Sequence, residues 1–349
     1  MILCLAAIFS LGSCVRKDSK DKDEGTKEEK PQKPESENEY NFLVMGHDRQ
    51  ASLTDVIMLI SFDTEAKTLS LTQIPRDTYF EIDDYGYHKI NGLYNYCMGK
   101  AREDDAKDPQ LEGCKRTAEY LSENLGIKIH YSAVMDLDGF GQIVDAIGGV
   151  YMYLPYSMYY SDPGQNLYIN LAKGFHTLDG DQAEQFVRFR SGYVNADLAR
   201  QDAQKMFMTA FIENFKKNIG ISNIANVAKA VIENVKTDLK LTDMIKFGTA
   251  LLSIDLDGIT MMSLPGEAVL SQGAWYFAMN KASVAALMEK HYNVYEEKLT
   301  AENFDKNEVF CNGEDTEMSE IYLKLAEEFE TVEHNAQDVS DNDIDIALK

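Results

Sequence analysis

Spacing of the apolar side chains divides the chain into a polar leader, a long patterned middle and a polar tail. Asn41 to Gly46, Val56 to Phe62 and Thr68 to Ile74 are short apolar or alternating runs set apart by polar turns, as neighbouring strands are. From Gly113 to Asn124 the period lengthens, and Ala118, Leu121 and Leu125 recur at helical spacing. Tyr131 to Met135 predicts a strand, Gly139 to Ile147 a helix stopped by Gly148 and Gly149, and Val150 to Leu154 another strand. Asp181 to Leu252 reads as mostly helical, with Ala203, Met206 and Ala210, then Val227, Val231 and Val235, marking inward stripes. Strands return at Ile259 to Leu264 and Trp275 to Phe277, followed by a helix over Lys281 to Tyr292. Met318 to Phe329 predicts an amphipathic helix, and Glu330 to Lys349 an acidic tail without structure. Strands alternating with helices predict an α/β fold, a three-layer α-β-α sandwich around a mixed central β-sheet. With 349 residues, 44% of them hydrophobic, one large domain over residues 40–299 followed by a helix and tail over 300–349 is the expected organisation.

The leader has its own logic. Ile2 to Leu11 is apolar but shorter than the roughly 20 residues that a spanning helix needs. It reads as the apolar stretch of a signal peptide over residues 1–13, and Leu11-Gly12-Ser13-Cys14 resembles a lipoprotein processing site that leaves Cys14 as the lipidated first residue. The basic segment that ordinarily precedes such a stretch is missing before Arg16, and a plain signal or anchor helix is the competing reading. Residues 14–39 are charged and small, with Pro31 and Pro34, and read as a disordered tether.

Composition narrows the partners. Lys and Arg number 34 against 58 Asp and Glu, a formal charge of −24 that repels nucleic acid. The five cysteines show no C-x-x-C pair or zinc-like spacing. In an exported chain Cys97 and Cys114 either form a disulfide or stay as two buried thiols, and connectivity is not readable from spacing.

Three constellations carry candidate chemistry. Asp48 and Arg49 end the first strand and Asp55 opens the second, so a tight connection brings two carboxylates together, either as turn caps or as ligands of Mg²⁺ beside a phosphate. Pro75 stops the third strand and leaves Arg76 and Asp77 at the sheet edge, where open α/β sheets bind ligands. Arg188 and Arg190 precede Asp197, Arg200 and Gln204; the last two share a helix face, and Asp197 is placed to cap that helix. Arginine forks suit phosphate, although an exposed loop arginine is the plain alternative at each position. No G-x-S-x-G elbow, H-E-x-x-H helix or Walker loop is present, and His47, His88, His130 and His176 share no spacing, so each histidine is expected to be structural or exposed.

Taken together, Thr54-Asp55-Val56-Ile57-Met58-Leu59, Ile74-Pro75-Arg76-Asp77-Thr78, Lys89-Ile90-Asn91, Asp145 to Val150 and Val187-Arg188-Phe189-Arg190 resemble, in order and interval, the LytR-CpsA-Psr domain. The resemblance runs from about Tyr40 to Lys216, and Leu264-Pro265-Gly266 with Trp275-Tyr276 extends it towards Asn293. It implies the sandwich fold of that family, Asp48 and Asp55 as Mg²⁺ ligands, and Arg49, Arg76, Lys89, Arg188, Arg190, Arg200 and Gln204 around a diphosphate. Of these, Arg76, Arg188, Arg190 and Arg200 would be catalytic, and Asp77, Asn91 and Asp197 would support them. It further implies an apolar tunnel for a polyprenyl tail and a phosphotransferase that moves a glycopolymer such as teichoic acid or capsule from polyprenyl pyrophosphate to peptidoglycan. Such an enzyme works on the extracellular face of the bacterial membrane, here through its lipidated N-terminus. Leu53 and Ala203 stand where the family often has arginine, and Arg49 offers a substitute only for the first. Hydrolysis of the diphosphate and non-catalytic binding of the lipid-linked polymer are the alternatives, with transcriptional attenuation the weakest for so acidic a chain. The general base stays open between Asp77 and Asp197.

Overall fold

A computed structural model describes residues 36–47, 53–80, 85–165, 167–189, 196–271, 274–300, 310–311 and 323–324. The first three apolar runs form an antiparallel meander, β1 (Glu39–His47), β2 (Thr54–Asp63) and β3 (Thr68–Gln73). Helices α1 (Leu93–Glu103) and α2 (Pro109–Leu125) lead to β4 (Tyr131–Met135), which lies parallel to β1, and to α3 (Leu137–Ala146). Four short strands follow: β5 (Val150–Leu154), β6 (Met158–Asp162), β7 (Leu167–Leu171) and β8 (Gly174–Leu178), with β5 paired to β8 and β6 to β7 as two separate ribbons. Then come α4 (Gly180–Arg188), α5 (Ala196–Asn218), α6 (Ile224–Asn234), β9 (Lys236–Thr237), α7 (Leu241–Leu252) and β10 (Ile259–Ser263). A hairpin of β11 (Gly266–Ser271) and β12 (Ala274–Asn280) precedes α8 (Lys281–His291), and β13 (Phe310–Cys311) and β14 (Leu323–Lys324) close the described residues.

Seven strands make one mixed sheet in the order β14-β10-β3-β2-β1-β4-β9. Strand alternation gives the sheet two apolar faces. Phe42 and Val44 of β1, with Met58, Ile60 and Phe62 of β2, join one core with α3, α5, α6 and α7. Leu43, Met45, Ile57 and Leu59 point the other way, into a second core with α1, α2 and α8. The expected three-layer sandwich is therefore observed.

Local chemistry fixes the helix starts. Asp108 accepts from Leu111 N ahead of Pro109, Asp136 accepts from Gly139 N at 2.8 Å, and Asp179 forms a capping box with Gln182. Helices α3 and α4 cross where Gly141 faces Gly180: a Cβ on Gly180 would sit 2.4 Å from Gly141 O, so hydrogen is the only side chain that fits.

Two expectations need correction or resolution. Within the helix expected over Met318 to Phe329, the described residues Leu323 and Lys324 form β14 and pair antiparallel with Met261 and Thr260. The reason is that β10 would otherwise expose a row of backbone hydrogen-bonding groups at the sheet edge. Cys97 and Cys114, on α1 and α2, are buried thiols and not a disulfide; burial pushes the Cys97 thiol up to about 11. Cys14, the signal segment and nearly all of the tether lie outside the described residues. No helix among the described residues is long and apolar enough to cross a membrane.

Candidate functional site

The carboxyl ends of β1, β3, β4 and β10 and the start of β2 come together along one edge of the sheet, because β1 runs parallel to β4, β3 runs parallel to β10 and β2 runs against both. His47, Asp55, Asp136 and the loop after Gln73 all sit there. This is the end of an open α/β sheet at which ligands collect.

Pro75 halts β3, and Thr78 N and Oγ1 both donate to Pro75 O, folding Arg76 and Asp77 into a tight turn over the sheet edge. Arg76 Nη1 donates to Asp55 Oδ1 at 2.7 Å, and Arg76 Nε lies 3.7 Å from Asp77 Oδ2. Asp77 Oδ1 in turn accepts from Lys89 Nζ at 2.6 Å. The result is one alternating chain of charge, Asp55–Arg76–Asp77–Lys89, with each member between about a fifth and a third exposed.

Asn91 locks this chain from beneath. Its backbone N donates to Arg76 O at 3.2 Å, and its carbonyl accepts from Thr54 Oγ1 at 3.1 Å, so the turn carrying Arg76 is tied to the start of β2. Its Oδ1 is buried without a hydrogen-bond partner among the described residues. Tyr85 OH donates to the Lys89 carbonyl and holds the segment that delivers that lysine.

Behind the charged edge lies an apolar cleft of about 910 Å³, counting its open mouth, between the sheet and helices α3 and α5. Met58, Met135, Phe140, Phe207, Met208 and Phe211 form its walls, while His47, Asp55, Asp136, Arg188 and Gln204 supply its polar groups. Arg188 is steadied by Glu184 at 2.9 Å, and Gln204 Oε1 accepts from Gln73 Nε2 at 2.6 Å. An apolar cavity with a few convergent polar groups at its mouth is the usual form of a small-molecule binding site.

The expected residues are therefore partly assembled. Asp55, Arg76, Asp77, Lys89 and Asn91 meet in one network, and Asp55, Arg188 and Gln204 share the cleft. Asp48, Arg49 and Arg190 lie outside the described residues, and Asp197 and Arg200 fall on α5 at positions whose side chains are not described. Ala203 is buried on α5. Two cleft residues, His47 and Asp136, were not among the expected site residues, nor was Gln73, which holds Gln204. His47 lines the cleft and stacks on Tyr94 with ring centroids 6.1 Å apart. Gln73 had a legible signal, a polar residue closing an otherwise inward-facing apolar register.

Fold and site together define an α/β sandwich with a charged sheet edge over an apolar cleft. The sequence matches the LytR_cpsA_psr family over residues 7–293, and the chain belongs to that family. It is 28% identical over 271 residues to a protein of Oceanobacillus iheyensis named polyisoprenyl-teichoic acid–peptidoglycan teichoic acid transferase TagU, covering 76% of this chain and 79% of that one. The crystal structure of B. subtilis TagV superimposes with a TM-score of 0.59 at 22% identity, covering 77% of this chain and 98% of that one. A structure described as TagT bound to LI-WTA gives a TM-score of 0.55 at 23% identity, covering 73% and 89% respectively. These structural likenesses establish the fold.

Proposed function

We propose that this chain is a glycopolymer–peptidoglycan phosphotransferase that takes its donor as a polyprenyl pyrophosphate and releases polyprenyl phosphate. The observation that carries the reading is the junction of an apolar cleft with the Asp55–Arg76–Asp77–Lys89 chain at its mouth. The names of relatives such as TagU support it, and teichoic acid is the polymer those names favour.

The prenyl tail occupies the cleft walled by Met58, Phe207 and Phe211, which sets the diphosphate at the sheet edge. Arg76 and Lys89 face it there, with Arg188 and Gln204 at the cleft. A hydroxyl of the wall glycan attacks the sugar-side phosphorus, the bridging P–O bond breaks, and charge moves onto the departing polyprenyl phosphate. Phosphoryl transfer needs positioning and cationic stabilisation more than a protein nucleophile, and a fixed arginine–lysine array provides both. Asp77, held between Arg76 and Lys89, orients the two cations. Arg190 and Arg200 belong to the same array in this reading, with Arg49 beside them and Asp197 in support.

Asp55 at the cleft mouth suits a Mg²⁺ site of the kind that uses one or two carboxylates and completes its shell with phosphate oxygens and water. Asp55 and Asp48 would hold the ion, which when bound neutralises diphosphate charge. The domain spans residues 40–299, preceded by the signal over 1–13 and the tether over 14–39, with a lipid on Cys14 holding it to the outer face of the membrane.

The test is transfer of a radiolabelled saccharide from a polyprenyl diphosphate to peptidoglycan, with polyprenyl phosphate as coupled product. Asp55→Ala together with Asp48→Ala is expected to abolish both turnover and its Mg²⁺ dependence. Release of saccharide phosphate to water in place of transfer, with acceptor present, would make the protein a hydrolase.

A further inference from the structure

The hairpin of β11 and β12 rises from the charged end of the sheet. Leu264 N, immediately past β10, donates to Gln73 O at the close of β3, and Asn280 N donates to Pro265 O to pin the base of the hairpin. Phe277 N donates to Asp77 O and Tyr79 N to Phe277 O, so β12 runs alongside the turn that carries Arg76.

Alternation sorts the hairpin's side chains. Tyr276 lies on the face that meets Lys89 and Tyr79. Trp275 and Phe277, with their cross-strand partners Leu270 and Ala268, take the other face, and Met279 continues that face into the core formed with α1 and α8. Burial is lost along it from base to tip: Met279 is buried, Phe277 half-buried, and Trp275 and Leu270 are each 60% exposed. This apolar face runs on past the end of its core and finishes in the chain's single tryptophan. Glu267, the one charged residue between Leu264 and Asn280, pairs with Ala278 on the opposite face.

An apolar overhang of this kind is a surface for something to cover, and its chemistry narrows the choice. Tryptophan beside an aliphatic side chain suits the interface of a bilayer. Two aromatic rings and two smaller side chains offer on the order of 400 Å², against the roughly 800 Å² per partner of a stable dimer. A lipid surface needs no such area, and the donor of the proposed reaction resides in one. Its diphosphate lies among the headgroups, so the sheet edge that carries Arg76 has to approach the membrane to meet it. The route from the anchor allows this. The chain enters the domain at the far end of β1, where Ser36 N donates to Val294 O, about 30 Å of strand from the site. The residues between Cys14 and Ser36 span up to about 70 Å when extended, enough to bring the site end round to the bilayer.

We propose that the tip of the β11–β12 hairpin, through Trp275 and Leu270, is a membrane wedge that seats in the bilayer interface and holds the charged sheet edge at the depth of the diphosphate, an inference that rests on the transferase reading. Residues 264–280 contain no Lys or Arg, so the contact is apolar and zwitterionic lipid suffices for it.

As the sole tryptophan, Trp275 reports alone under selective excitation of the full chain. The probes are phosphatidylcholine vesicles, the same vesicles with lipid brominated on its acyl chains, and a soluble chitin oligosaccharide. Vesicles are expected to shift the emission to shorter wavelength, and the brominated lipid to quench it. Leu270→Asp is expected to weaken both effects about tenfold, and Leu270→Phe to keep them. In the transfer assay Leu270→Asp is expected to raise KM severalfold for a long-prenyl donor embedded in vesicles and to leave that for a short-prenyl donor in solution unchanged, which also shows that the variant folds. Absence of quenching, or quenching undiminished in Leu270→Asp, overturns the proposal. So does a shift without vesicles, either on concentrating the protein, which makes the face a contact between copies, or on adding the oligosaccharide, which makes it a glycan contact. If the wild type transfers and Leu270→Asp matches it on both donors, the wedge fails and the transferase reading stands. If Trp275 is quenched but no transfer occurs, the reverse holds.

Discussion

At the scale of single residues, Arg76 is the hinge of the site because it joins Asp55 on β2 to Asp77 on the turn. Arg76→Ala is expected to lower transfer by about a hundredfold or more while leaving the circular dichroism spectrum intact, since a partly exposed charge is lost and no core is emptied; near-native turnover would place the chemistry elsewhere. Asn41 has the opposite character. It is fully buried, and its Nδ2 donates to Lys128 O at 2.8 Å and Tyr292 O at 2.7 Å, tying β1 to the entry of β4 and the end of α8. Asn41→Ala orphans both carbonyls and should cost about 1–3 kcal/mol in urea denaturation without changing KM. Arg76 and Asp77 were legible in the sequence because Pro75 sets them at a strand end, whereas Lys89 and Asn91 came only from the family resemblance. Gln73 had a signal in its register but not its partner, which lies on α5, far along the chain, and a lone His47 at the close of a strand declares no partner either.

At the scale of elements, the periodicities of β1 to β5 were readable because each strand alternates between two cores or faces one core and solvent. The ribbons were harder: β6 and β7 carry exposed Tyr159, Tyr160 and Tyr168 among their apolar positions, so their pattern does not separate from a loop. The stretch read as mostly helical from Asp181 to Leu252 resolves into α4, α5, α6 and α7, with β9 between the last two paired to β4 and pinned there by Thr237 Oγ1 donating to Ser132 O and Ser132 N donating to Asp238 Oδ1. No local propensity marks β14 either, because what calls it into being is the open edge of β10. The crossing of α3 and α4 depends on an absent side chain. Gly180→Ala should destabilise the protein by about 1–3 kcal/mol, read by chemical denaturation, as the methyl must displace the Gly141 carbonyl. Helix α5 sets the cleft depth through Phe207, Met208 and Phe211. Met208→Trp is expected to raise KM for long polyprenyl donors while sparing a short-prenyl one; an equal effect on both would mean that the tail does not occupy this space.

At the scale of the whole molecule, folding couples to pH through buried groups outside the site. His291 ends α8 against β3, where Ser70 Oγ and His291 Nδ1 lie 2.9 Å apart, and burial, helped by the adjacent Lys290, depresses its pKa to about 4. The unfolded chain binds a proton at this ring near the ordinary 6.5, whereas the folded chain resists until about 4, so the unfolded state holds more protons between those values. Stability from His291 is therefore complete above the unfolded pKa and declines as pH falls through this window. Asp238, raised by burial, and Glu39, raised by burial and by Asp63, act in the opposite sense, because a carboxyl whose folded pKa is raised gains stability as acid protonates it. Because these groups oppose the histidine, variants are what separate its share from theirs. The His291 share of the melting temperature falls as pH is lowered from 6.5 towards 5, so His291→Gln should flatten that slope and Asp238→Asn, which removes an opposing group, should not. A slope unchanged in His291→Gln would assign the acid sensitivity to some other group, and the test needs only thermal scans of the two variants beside the wild type.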